Sequence, residues 1–220
     1  MIKTLDEKNL VAACRVLAKT DSDLAFIFKT YGTPPLWKRE ATFATLVHII
    51  LEQQVSLASA LAAFNKLKEK LGEITPERVL SLSDEEMKAA YFSRQKTIYA
   101  RELARAVSGG ELNLNHLENL PDDKVKFELK KIKGIGDWTA DIYLLMALLR
   151  PDVMPKGDLA LHVAWQKLKK SDCRPNSEEF LEIAGKWKPL RAVAARLLWH
   201  FYLSERNFSA KTQKPGEKKM

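Results

Sequence analysis

Lys131-Ile-Lys-Gly-Ile-Gly-Asp-Trp-Thr-Ala140 sets two glycines one residue apart, between a short amphipathic segment and an almost wholly apolar one, Ala140 to Leu149. Glycine tolerates positive φ and lets another backbone come close, so Gly134 and Gly136 suit a tight hairpin with outward-facing amides. Those amides open the next helix, where unpaired N–H groups and the macrodipole favour an anion such as phosphate. A helix that is apolar on every side belongs at the centre of a fold, and this one is expected to stop at Arg150-Pro151. Lys124, Lys126, Lys130, Lys131 and Lys133 crowd the hairpin, either as a phosphate clamp or as a solvated helix face. Alone, a Gly-x-Gly is an ordinary turn between helices; its setting is what points to nucleic acid.

Outward from the hairpin, helical spacing recurs and strand-like alternation is almost absent. Leu57, Leu61, Phe64, Leu67 and Leu71 form one stripe that ends at Gly72, a C-cap glycine. Phe43, Leu46, Val47 and Ile50 form another, after the break at Gly32-Thr-Pro-Pro35. Shorter helices are expected near Asp84 to Ala90, Lys96 to Val107 and Asp123 to Ile132. The class is all-α. From residue 206 to 220 the chain is polar, Lys-rich and without apolar period, which predicts a disordered basic tail.

A chain of 220 residues with 46% hydrophobic and 29% charged side chains reads as globular, and its net charge of +8 favours a polyanionic partner. The two cysteines, Cys14 and Cys173, form no CxxC pair, and the four histidines show no metal-ligand spacing. No metal or organic cofactor is expected, although a monovalent cation at the hairpin carbonyls stays open. The charged N-terminal stretch does not suit a signal peptide, and the apolar run from Ile142 to Leu149 falls far short of the roughly 20 residues that span a bilayer. A soluble, intracellular protein is expected, a monomer without membrane attachment, in a prokaryotic cytoplasm or a nucleus.

Several stretches, in order along the chain, resemble one family. They are Pro34-Pro-Leu-Trp-Lys-Arg39, Leu51-Glu-Gln-Gln-Val-Ser56, Lys133-Gly-Ile-Gly-Asp-Trp-Thr-Ala140, Pro155-Lys-Gly-Asp-Leu-Ala-Leu161, and Trp187-Lys-Pro-Leu-Arg191 followed by Trp199. Over roughly residues 30 to 203 the chain resembles the helix-hairpin-helix (HhH-GPD) DNA glycosylases, and within them the branch acting on alkylated purines, the 3-methyladenine DNA glycosylases. The resemblance implies a two-lobed helical fold with the active-site cleft between the lobes. The glycosylase domain would span residues 1–205, one lobe from about 41–150 and the other from the N- and C-terminal helices. The implied partner is double-stranded DNA containing damaged bases, and the implied reaction is hydrolysis of the N-glycosidic bond after base flipping.

The resemblance also implies roles. Asp158 falls where the family has its catalytic aspartate; a carboxylate there would stabilise an oxocarbenium-like sugar and orient a water. From pattern alone Asp158 reads equally as an N-cap, ahead of Leu161, Ala164, Trp165 and Leu168. The two roles are compatible, because N–H donors and a helix dipole favour a charged carboxylate. Asp141, three residues after Trp138, is a pocket or structural residue. Trp138 stands where the strand-cutting relatives carry their Schiff-base lysine, and indole forms no such adduct. Trp138 and Trp199 match pocket aromatics. Trp199 lies off the stripe Leu190, Val193, Ala194, Leu197, Leu198 and Phe201, so it needs a neighbouring helix or a flipped base as partner.

The DNA contacts implied are Gly134, Gly136, Lys131, Lys133 and Thr139 at the hairpin, and Gln53, Gln54 and Ser56 in the turn that fills the space left by the extruded nucleotide. Glutamine amides there could instead bridge helices. Two departures stand out: Tyr91-Phe92 replaces a small residue followed by Leu, and Asp137 puts an acid beside the phosphate site. Two other functions stay open: a non-catalytic DNA-binding protein with the same hairpin, and a glycosylase/lyase using another amine such as Lys156.

Overall fold

The structure, a computed structural model, describes residues 3–212, with side chains through Arg206. Among the described residues it is built from α-helices and one 3-10 turn, without a strand. The chain divides into two compact units, one of residues 38–150 and the other joining the chain up to and including Trp37 to the chain from Pro151 onward. The second begins with α1 (Glu7–Thr20) and α2 (Ser22–Tyr31). Unit 38–150 holds α3 (Phe43–Glu52), α4 (Leu57–Leu71), α5 (Pro76–Leu80), α6 (Asp84–Ala89), α7 (Arg94–Ser108), α8 (Leu114–Leu117), α9 (Asp122–Lys130) and α10 (Asp137–Met146). After it come α11 (Leu159–Leu168), α12 (Ser177–Ala184), the 3-10 turn Gly185–Trp187 and α13 (Arg191–Thr212).

In unit 38–150, α3 is the hub, packed on α4, α7 and α10. Thr42 opens it by accepting the Thr45 amide at 3.3 Å, and Phe43, Leu46, Val47, Ile49, Ile50 and Leu51 are all buried. Each such side chain contributes roughly 1.5–3 kcal/mol by leaving water. Glu52 ends the helix at 8% exposure, and Arg39 makes that burial tolerable with a two-pronged clamp of 3.0 and 2.7 Å.

α4 has the expected bounds, and Gly72 closes it at φ +72. The buried helix α10, expected to reach Leu149, ends at Met146. Pro151 disfavours helical backbone at Arg150, and the chain unwinds ahead of it: Leu149 turns to φ +53 and the Arg150 amide returns to the Leu144 carbonyl at 3.0 Å. The freed Met146 carbonyl accepts the Arg39 amide at 2.9 Å.

In the other unit, α13 is the hub, packed on α1, α2 and α11. From Ala192 to Leu198 every residue is fully buried, so helices surround it on all sides. A one-sided stripe is therefore the wrong description of this helix. Asp21 ties α1 to α2: one carboxylate oxygen caps α2 through the Asp23 and Leu24 amides at 2.9 and 3.0 Å, and the other accepts the Trp187 indole N–H at 2.8 Å and Lys186 at 2.7 Å. Burial pushes this carboxyl up, but the Lys186 charge, the indole and the Leu24 amide outweigh it and hold it below the usual aspartate value.

No helix among the described residues is long and apolar enough to cross a membrane. Of the basic tail expected over 206–220, α13 carries the backbone on to Thr212, and residues 213–220 lie outside the described residues.

Candidate functional site

The hairpin between α9 and α10 is drawn tight by the Ile135 amide on the Ile132 carbonyl, 3.0 Å. Its two glycines do different work. Gly134 sits at φ +95, and a Cβ there would lie 2.1 Å from the Tyr99 ring of α7, so glycine is required because a side chain of the same unit presses on it. Gly136 is the N-cap of α10 without a side-chain cap bond, and a Cβ on it would meet nothing within 4 Å. The α10 amides that follow it are where a helix end accepts an anion.

The acid beside this end is neutralised locally, since Asp137 pairs with Lys130 at 2.5 Å. Lys131 pairs with Glu128 at 2.7 Å and lies over the Phe127 ring, while Lys133 is exposed. Lys126, grouped with the hairpin lysines in the sequence, instead reaches Asp141 at 2.8 Å. Asp141 is 2% exposed and is thereby held by α9. Trp138 is half-buried on the first turn of α10.

The turn before α4 is pinned to this hairpin from the same unit. The Gln53 side-chain amide donates to the Gly134 carbonyl at 2.8 Å and to the Thr139 hydroxyl at 2.9 Å, and Thr139 is buried. These are the bonds that the bridging alternative expects of Gln53. Ser56 is the N-cap of α4, accepting the Ser59 amide at 3.1 Å. Gln54, by contrast, is exposed at φ +57, next to exposed Val55 and Leu57.

In the other unit, Asp158 caps α11. One carboxylate oxygen accepts the Leu161 amide at 3.0 Å and, at 3.1 Å, the indole N–H of Trp199 from α13. Asp158 and Trp199 are each only 8% exposed. The partner of Trp199, left open between a helix and a base, is therefore an acid and a second indole: the Trp37 ring meets it edge to face, 6.2 Å between centroids. Sequence reasoning quoted Trp37 but gave it no role. His162, one turn after Asp158, packs on Phe180 at 4.8 Å, and burial lowers its pKa against the opposing pull of Asp158. Lys156, the alternative amine, pairs with Glu178 at 3.3 Å.

Residues 47–189 match the family model of HhH-GPD superfamily base excision DNA repair proteins. A Schizosaccharomyces pombe protein named DNA-3-methyladenine glycosylase 1 is 30% identical over 166 residues, which cover 74% of this chain and 73% of that one. A Bacillus subtilis relative, YfjP, also named for DNA-3-methyladenine glycosylase, is 26% identical over 186 residues; the match covers 81% of this chain but only 65% of that protein's length. Among solved structures, a Schizosaccharomyces pombe 3-methyladenine DNA glycosylase in complex with abasic DNA superposes with a TM-score of 0.81 at 27% identity, covering 89% of this chain and 97% of that one.

Proposed function

The chain belongs to the HhH-GPD superfamily of base excision DNA repair proteins, and we propose that it is a monofunctional DNA glycosylase that hydrolyses alkylated purines, 3-methyladenine and 7-methylguanine, from double-stranded DNA. The observation that carries this reading is Asp158, a buried carboxylate fixed by a helix N-terminus and an indole N–H. Relatives named for 3-methyladenine support the substrate.

A duplex phosphate binds at the N-terminus of α10, and the damaged nucleotide rotates out of the stack while exposed Gln54 takes the vacated space. The glycosidic bond breaks with its electron pair leaving on the base, which is easier when alkylation has made the purine cationic. Asp158 faces the oxocarbenium-like sugar, stabilises its charge and orients the water that adds to C1′ and releases a proton. With Trp138 in place of a Schiff-base lysine, no covalent step occurs. The enzyme acts as a monomer and needs no organic cofactor. At the hairpin, the Ile132 and Gly134 carbonyls each accept one protein hydrogen bond and keep a second lone pair, which a monovalent cation could use to add charge beneath the phosphate.

The deciding experiment is release of free base from duplexes carrying 3-methyladenine, 7-methylguanine, hypoxanthine or oxidised guanine. Methylpurines should be released readily and oxidised guanine poorly, leaving an intact abasic site that breaks only after alkali. Borohydride present during turnover should trap no protein–DNA adduct. Release of oxidised guanine without methylpurines would reject the substrate class, and efficient trapping would reject the hydrolytic mechanism.

The two hairpin glycines offer a second test. Gly136→Val adds bulk where only the ligand approaches, so Tm should hold while affinity for every duplex falls about tenfold, sequence notwithstanding. Gly134→Val forces Tyr99 away and should lower Tm and affinity together. Unchanged binding by folded Gly136→Val would show that the hairpin does not anchor DNA.

A further inference from the structure

We propose that Lys96 is a positioning residue for base extrusion: by holding the last turn of α3 it aims Gln54 at the space that the nucleotide leaves. The proposal rests on the glycosylase reading above, in which Gln54 takes that space, and adds to it a residue that reading does not contain.

Lys96 stands in an electrostatically poor place. It is the third residue of α7, in the turn whose amide dipoles disfavour a cation, and its own amide donates to the Ser93 hydroxyl at 3.3 Å. The side chain is half-buried, and loss of water pushes the ammonium pKa down against the opposing pull of Glu52. A cation that meets both costs needs a compensating partner. That partner is the Leu51 carbonyl in the last turn of α3, to which Lys96 Nζ donates. Carbonyls of a last turn have no amide of their own helix to meet, and their end of the dipole favours a cation. The charge that is misplaced on α7 is thus well placed on α3. Glu52, the next residue, is buried in the clamp of Arg39, so two cations act on the end of this helix.

Apolar packing does not fix the turn that follows. A cavity of about 280 Å³ borders it, lined by Leu51, Val55, Ala60, Ala63, Tyr91 and Lys96. Val55 is 45% and Tyr91 66% exposed, so neither side chain is packed down over it. A segment with few buried contacts keeps its shape through polar ties. Gln53 is tied to the hairpin and Ser56 caps α4, while Lys96 ties the helix end from which the turn departs. Between these ties Gln54 is exposed at φ +57, a left-handed conformation that costs energy for any residue with a side chain. Such a conformation persists only while its surroundings impose it. Loss of the ammonium frees the end of α3 and lets Gln54 relax, without touching Asp158, which belongs to the other unit.

The test places 7-methylguanine in two duplexes, one with cytosine opposite and one with an abasic nucleotide opposite, where extrusion breaks no pair and orphans no base. Single-turnover excision is measured for wild type, Lys96→Met, Lys96→Arg, Gln54→Ala and the double variant of Lys96→Met with Gln54→Ala, and Tm alongside. Lys96→Met should lose about tenfold opposite cytosine and at most about threefold opposite the abasic nucleotide, the scale of misplacing a group by part of an ångström. Gln54→Ala should show the same pattern, and adding Lys96→Met to it should cost little more. Lys96→Arg, which keeps a charged donor, should recover most of the loss. A general structural defect slows excision from both duplexes alike. Equal losses on the two, no loss on either, or losses that add to those of Gln54→Ala would therefore overturn the proposal. If Lys96→Met does not fold, Lys96→Gln, neutral and shorter than lysine, takes its place under the same criteria. A wild-type protein that releases no methylpurine from either duplex would instead bring down the glycosylase reading, and this proposal with it.

Discussion

Asp158→Asn should fold, bind DNA with wild-type affinity, and lose base excision by at least about a hundredfold, the scale of removing one preorganised electrostatic group from a transition state. Both the Leu161 amide and the Trp199 indole N–H donate to the same carboxylate oxygen, at 3.0 and 3.1 Å. An asparagine carbonyl has two lone pairs and can accept both, so the cap on α11 and the tie to α13 persist. What disappears is the negative charge that, in the proposed mechanism, stabilises the oxocarbenium-like sugar. Single-turnover excision of 7-methylguanine at saturating enzyme measures the chemical step, a binding assay on the same duplex checks affinity, and Tm checks the cap. Wild-type excision by a folded Asp158→Asn protein would leave Asp158 as a cap alone.

Features whose cause is local were legible in the sequence. The bounds of α4 follow from its apolar stripe and Gly72; the cap role of Asp158 follows from an acid ahead of a new stripe. Features whose cause is another part of the fold were not. Gly134 was read correctly as a position of close approach, yet the approaching group is Tyr99, thirty-odd residues earlier. Asp141 and Lys126 form a pair that only the packing of α9 on α10 creates. Gln53 and Gln54 are adjacent and chemically identical, but only Gln53 meets the hairpin, because the chain turns left-handed at Gln54. Trp37 could not be singled out either. The Leu36 carbonyl just before it accepts from Arg196, a charged residue in a run of apolar ones, and no periodicity reveals that pairing. Because α13 is buried on every side, the place of Trp199 off a stripe carried no information. Its partner is an acid, and a helical wheel does not show that.

That partner changes what a mutation of Trp199 should do. If Trp199 were the surface on which a charged base stacks, its loss would hurt cationic lesions selectively. With its N–H on Asp158 and its ring 8% exposed, the proposed mechanism has it act through the carboxylate, where the charge on the sugar would develop whatever base is leaving. Trp199→Phe keeps an aromatic ring, removes the donor and leaves a small void beside Trp37, with a stability loss of about 1–2 kcal/mol. Excision should fall by roughly thirtyfold, the order of misplacing a reacting group by part of an ångström, and by equal factors on 7-methylguanine and hypoxanthine. A void alone could also slow the enzyme, so the discriminating measurement is a double-mutant cycle. In the Asp158→Asn background there is no charge left to aim, and Trp199→Phe should then cost little further activity. Additive losses would assign Trp199 to packing. A loss confined to the cationic lesion would return it to the base-binding face.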